Sequence, residues 1–175
     1  FTITNNRIIS NGTAIFVNDV DGIQIYNNTI QSVIGISVFD SKKIHIFEND
    51  IFVSRTGIGI SNSEGNVTNN LIQGECYIDK CDVVYFTKVA QSGIKIVSLS
   101  DIHAKDNIIK SFNILVNSTN SDINLRENYL DYSNTGIHIK GGKSSEIYGN
   151  KISNSSTLIN SIDSENIEIY DNNFS

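Results

Sequence analysis

The chain has 175 residues, 39% of them hydrophobic, with 13 Lys and Arg against 19 Asp and Glu for a net charge of −6, the size of a single domain. Ile occurs 31 times and Asn 24 times, whereas Pro, Met and Trp are absent. A helical bundle is excluded because Ala and Leu are scarce, a nucleic-acid binder because the few basic residues are scattered, and a membrane span because no apolar run approaches ~18 residues.

Taken in chain order, one pattern recurs: an apolar residue, two spacers, Asn, one spacer, an apolar residue. It runs Ile3, Asn6, Ile8, then Ile25, Asn28, Ile30, then Ile46, Asn49, Ile51, then Val67, Asn70, Ile72. It resumes at Ala104, Asn107, Ile109, then Leu125, Asn128, Leu130, then Ile147, Asn150, Ile152, and ends at Ile169, Asn172, Phe174. Successive Asn positions are 22, 21, 21, 37, 21, 22 and 22 apart. A second pattern lies between them: Gly35-Ile36-Ser37-Val38, Gly57 to Ile60, Gly93 to Ile96 and Gly136 to Ile139, with degenerate copies at 14–17 and 113–116.

The interval of 37 has two readings. Val84, Tyr85, Phe86, Thr87 and Val89 fit the template with Thr87 in place of Asn, which makes 73–92 a hidden coil and gives nine rungs at a mean step near 21. The other reading is an inserted loop of about 16 residues, in which Cys76 and Cys81 could close a small disulfide ring. The hidden coil is preferred. It places Cys76 in the core and Cys81 in a bend.

A 21-residue repeat of β-branched strands with no helical segment predicts a solenoid. The chain is read as one all-β domain over 1–175, a right-handed parallel β-helix of about nine coils and ~40 Å, each coil stacked ~4.8 Å on the last. Each coil is expected to hold three short strands. Asn6, Asn28, Asn49, Asn70, Thr87, Asn107, Asn128, Asn150 and Asn172 are expected to form one ladder. Asn suits it because its amide both donates and accepts and tolerates a left-handed bend.

These motifs resemble those of the parallel β-helix repeat, or pectate-lyase-like, superfamily along the whole chain. Its members include pectin-degrading enzymes, alginate epimerases, phage tailspikes and surface adhesins. The resemblance implies an extracellular or cell-surface location, and for the enzymes a cleft over the Gly-Ile-x-Val strand. Members usually close their first and last coils with caps, whereas Phe1 and Ser175 lie inside or beside a coil. The chain is therefore read as a piece of a longer protein, with flanking domains or oligomeric neighbours expected.

Two outward rows bear on function. Over the Gly-Ile-x-Val strand the row reads Phe16, Ser37, Gly59, Tyr77, Lys95, Leu115, His138. Tyr77, Lys95 and His138 are the types that abstract a proton beside a carboxyl group, although Lys95 and His138 sit two coils, ~10 Å, apart. The second row carries Tyr26, Phe47, Tyr85, Lys105, Arg126, Tyr148 and Tyr170, aromatics beside cations that can stack on a sugar or a partner, or simply on one another along the sheet. His45 and His103 lie too far apart to share a metal. No metal or cofactor is expected. Six Asn-x-Ser/Thr sequons, at Asn11, Asn27, Asn66, Asn117, Asn154 and Asn173, are near the chance number. The favoured reading is a non-catalytic module of a surface, secreted or virion protein, a rigid spacer with a polysaccharide- or protein-binding surface. The alternative is a polysaccharide lyase, hydrolase or uronate epimerase.

Overall fold

The computed structural model describes residues 1–74 and 90–175. These residues form an all-β, wholly parallel solenoid with two sheets. Eight short strands make one sheet: β1 (Thr2–Thr4), β3 (Asp21–Tyr26), β5 (Lys42–Phe47), β7 (Glu64–Thr68), β10 (Asp101–Lys105), β12 (Asp122–Arg126), β14 (Ser145–Tyr148) and β16 (Ile167–Tyr170). The other sheet has nine: β2 (Arg7–Asn18), β4 (Thr29–Phe39), β6 (Asp50–Ser61), β8 (Leu71–Gly74), β9 (Ala90–Val97), β11 (Ile108–Thr119), β13 (Tyr129–Lys140), β15 (Lys151–Ile162) and β17 (Asn173–Phe174). The expected strand after the Asn and the Gly-Ile-x-Val strand that follows it are thus usually one long strand. It turns its corner at an irregularity, between Ser10 and Thr13 in β2 and between Ser32 and Ile34 in β4, or at a left-handed residue, Ser111, Tyr132 or Asn154, in later coils.

The Asn ladder is present. In each step the lower Asn donates its backbone N–H and its amide to the Oδ1 of the Asn above, as Asn28 does to Asn49 at 3.1 and 3.0 Å. The same amides donate to backbone carbonyls, Asn49 Nδ2 to Ile25 at 2.8 Å and to Phe47 at 2.9 Å. The rung residues do not themselves take the left-handed bend. The residue before each does: Asn5, Asn27, Glu48, Asn69, Asp106, Glu127 and Asp171 have φ of 52 to 58°, and Gly149 has 65°. The rung stays in register with the sheet and its neighbour absorbs the turn.

Asn70 donates directly to Asn107, from N at 3.1 Å and from Nδ2 at 3.0 Å. β7 pairs with β10, and β6 pairs with both β8 and β9. No rung stands between Asn70 and Asn107, which overturns the hidden coil. The ladder has eight Asn rungs and about seven turns, not nine. Thr87, Cys76 and Cys81 lie outside the described residues. Gly74 pairs with Val53 and Ser92 with Thr56, so two positions three apart in β6 have partners 18 apart in the chain.

The interior is filled by stacked side chains. One row runs Ile3, Ile25, Ile46, Val67, Ala104, Leu125, Ile147, Ile169 along the eight-stranded sheet. Another runs Ile8, Ile30, Ile51, Ile72, Ile109, Leu130, Ile152, Phe174. Most of these are fully buried, which accounts for the excess of Ile: identical β-branched neighbours pack well on parallel strands.

A second polar ladder, not anticipated, closes another corner. Ser41 Oγ accepts from Val20 N at 3.1 Å, Ser63 Oγ from Ser41 N at 3.0 Å, Ser100 Oγ from Ser63 N at 3.3 Å and Ser121 Oγ from Ser100 N at 3.2 Å. Each hydroxyl donates back to a nearby carbonyl, as Ser41 does to Phe39 at 2.6 Å. The preceding residues, such as Asp19, Asp40 and Asn62, are left-handed. Buried backbone donors at this bend are thereby satisfied.

Candidate functional site

The solenoid sets both outward rows by register. On the eight-stranded sheet Thr4, Tyr26, Phe47, Thr68, Lys105, Arg126, Tyr148 and Tyr170 are aligned neighbours; Tyr85 lies outside the described residues. Tyr26 and Phe47 stack with ring centroids 4.7 Å apart and planes 8° apart, and Tyr148 and Tyr170 at 5.0 Å and 4°. Arg126 Nη1 donates to the Tyr148 hydroxyl at 3.0 Å. Lys105 Nζ reaches Glu127 at 2.9 Å and Asp106 at 3.3 Å. These hydrogen bonds raise the lysine pKa, and Lys105 in turn lowers that of Glu127. Most of this row is therefore engaged with itself along the solenoid axis.

Tyr170 adds a titration signature. Its hydroxyl donates to the Glu146 carboxylate, which also accepts from Asn124 Nδ2 at 2.5 Å. The carboxylate beside it pushes the Tyr170 pKa up to about 12. Because the folded pKa is raised, the linked stability is present below the ordinary tyrosine value of 10.0 and is lost as pH climbs through about 12. Ultraviolet titration should show one of the seven tyrosines ionising last, and Glu146→Gln should return it to the main group. A wild-type curve without that late tyrosine would remove the interaction.

The second row crosses the nine-stranded sheet as Phe16, Ser37, Gly59, Lys95, Asn117, His138, Asn160. This corrects the expected position of Leu115. Val116, not Ile114, pairs with Ile94; Leu115 is fully buried and Asn117 takes its outward place. Of the candidate catalytic trio, Tyr77 lies outside the described residues. Lys95 and His138 are separated by Asn117, two coil steps or ~10 Å, so the fold does not bring them to one reacting atom. His45 and His103 are likewise two steps apart, with Asn66 between them and its Nδ2 3.3 Å from His45 Nε2. Among the described residues no group of three or more His, Cys, Asp or Glu is placed to hold a metal.

The structure adds a depression in this row that the repeat alone did not reveal. Gly59 has no side chain where other coils carry Ser37 and Lys95, and Ser37, Phe39, Arg55, Gln91 and Lys95 stand around it. Arg55 Nε donates to Gln91 Oε1 at 3.1 Å. Phe39 packs on Phe16, with centroids 5.5 Å apart, and Phe16 is 65% exposed. The available signal was the doubled glycine in Gly57-Ile58-Gly59-Ile60, whose second member falls on an outward position.

Comparisons with protein-family models, with curated proteins and with solved structures find no match to the chain. The superfamily resemblance thus rests on the repeat motifs and the parallel solenoid.

Proposed function

We propose that the chain is a non-catalytic solenoid module of a surface, secreted or virion protein, a rigid spacer whose outward faces serve for carbohydrate or partner binding. The observation that carries this reading is the unbroken ladder from Asn6 to Asn172. It fixes every coil to the next through buried hydrogen bonds and leaves little to deform. The self-engaged aromatic and ion-pair row extends the same lateral bonding to the surface. The wide separation of Lys95 from His138 argues against the lyase, hydrolase or epimerase reading, which needs acid and base within reach of one sugar carbon.

A spacer built of equivalent coils can be shortened by whole coils. Deleting residues 29–49 joins Asn28 to Asp50, the β-sheet partner of Thr29. The shortened protein should fold cooperatively, and small-angle scattering should show it shorter by ~5 Å, one strand spacing. Incubated with uronate and neutral polysaccharides, the intact chain should release no new reducing ends and no unsaturated product. Turnover of any of them overturns the proposal.

A further inference from the structure

One corner of the solenoid is held less tightly than the ladder bends. There β2 and β4 lose register: Ser10 pairs with Ser32 and Thr13 with Ile34, so Asn11 and Gly12 stand against the single residue Val33. This is a β-bulge, which leaves an extra residue outside the pairing. Asn11, Gly12 and Thr13 are all exposed. The Gly12 N–H donates to Ser10 Oγ at 3.1 Å, a bond open to water. Among the described residues β2 pairs with β4 alone.

Of the 24 asparagines, Asn11 is the one followed by glycine. Glycine brings no Cβ to crowd its own nitrogen and lets the backbone bend that nitrogen back onto the preceding side chain. The buried rungs are closed to the same approach. The backbone nitrogen after each is tied to the previous coil: Thr29 N donates to Asn6 O, Ile108 N to Asn70 O and Tyr129 N to Asn107 O, each at 2.9 Å. Their amides are bonded too, as Asn107 Nδ2 is to Val67 O and Asn128 Oδ1. Away from the rungs, Asn62 Nδ2 is held by Asp40 at 2.6 Å and the following Ser63 N by Ser100 Oγ at 3.3 Å.

We infer that Asn11 is a site of spontaneous covalent modification, deamidating through a cyclic imide while the chain stays folded. The Gly12 nitrogen gives its proton to hydroxide and attacks Asn11 Cγ. The N–Cγ bond forms, the Cγ–Nδ2 bond breaks, and Nδ2 takes a proton from water and leaves as ammonia. Water then opens the imide ring. Cleavage of the bond to Cγ leaves aspartate. Cleavage of the bond to the main-chain carbonyl leaves isoaspartate, whose backbone runs through the side chain and is one methylene longer. Neither the Asn ladder nor the serine ladder passes through Asn11, and the strand is already out of register there. The bulge therefore absorbs the added methylene, and exposure lets water solvate the new carboxylate. The chemistry is independent of what the outward faces bind.

The test ages the full chain in warm buffer, neutral and mildly alkaline. Isoelectric focusing follows charge, and peptide mass spectrometry, with fragmentation that separates isoaspartate from aspartate, locates the change. A form one charge more negative than −6 should accumulate, faster in alkali, with isoaspartate in excess over aspartate at position 11 and ammonia released in equal amount. Asn11→Gln should slow it at least tenfold. Gly12→Val should do the same at unchanged melting temperature, because a β-branched side chain shields its own nitrogen while a Cβ there meets nothing closer than 3.9 Å. The separated acidic form should melt with the parent. An Asn11 that stays intact through ageing overturns the site, as does an acidic form that maps first to another asparagine or one whose rate ignores Gly12→Val. A lower melting temperature for the acidic form overturns the absorbing bulge.

Discussion

Asn107→Ala should cost about 4 kcal/mol, roughly the sum of several buried polar groups left unpaired, and so rank among the most damaging single changes. Asn107 is fully buried. Its Oδ1 accepts from Asn70 N and Nδ2, and its Nδ2 donates to Val67 O at 2.8 Å and to Asn128 Oδ1 at 3.0 Å. Alanine removes all four bonds at a place water cannot reach. This rung also bonds directly to Asn70, 37 residues earlier in the chain. Urea unfolding followed by circular dichroism measures the loss. Asn107→Asp keeps the acceptor and discards the donors, so it should be nearly as harmful. Asn6→Ala, at an exposed rung whose side chain bonds to Asn28 and Thr4, should cost about 1 kcal/mol. Equal costs at Asn6 and Asn107 would mean that burial does not set the strength of the ladder.

Gly57→Ala should destabilise by about 3 kcal/mol or prevent folding, whereas Gly59→Ala, two residues along the same strand, should change stability by less than about 0.5 kcal/mol. At Gly57 a Cβ would lie 2.3 Å from Ile72 Cγ2 and 2.6 Å from the Gly93 carbonyl oxygen. The latter is backbone of the adjoining coil and cannot swing aside. Relief would require the paired strands to separate. Thermal melts of both variants test the contrast. A tolerated Gly57→Ala would show that the coils are less tightly spaced than the structure has them.

Much of the fold is legible in the residues because a solenoid writes its geometry locally. Asn28 and Asn49 meet for the same reason that Asn128 and Asn150 do, and a constant period is enough to pair them. Legibility fails where the period does. The stretch 84–89 matches the template with Thr87 in place of Asn, and only the direct bond between Asn70 and Asn107 shows that no rung stands between those two. Ile114-Leu115-Val116 is a continuous apolar run that reads equally well in either register. The core chose Val116 for the interior place opposite Ile94, seven residues beyond Ile109, and Leu115 went inside with it. The serine ladder is hard to see in the residues because its spacing is masked by the many other serines and its bonds run mostly from backbone N–H groups.

The candidate sites divide in the same way. The row from Tyr26 to Tyr170 was readable by counting, but the stacking of its rings and the capture of Lys105 by Glu127 were not. The depression over Gly59 needed three dimensions, because Phe39, Arg55 and Lys95 belong to three different coils.

The sequence alone determined the all-β class, the parallel stacking, the identity of the Asn rungs and the Ile interior, because each is a nearest-neighbour relation repeated at a fixed step. Tertiary structure decided the number of turns, the left-handed partner before each rung and the open floor at Gly59. Those depend on which coil lies directly above which, and in a parallel stack that is settled by hydrogen bonds between residues 21 to 37 positions apart.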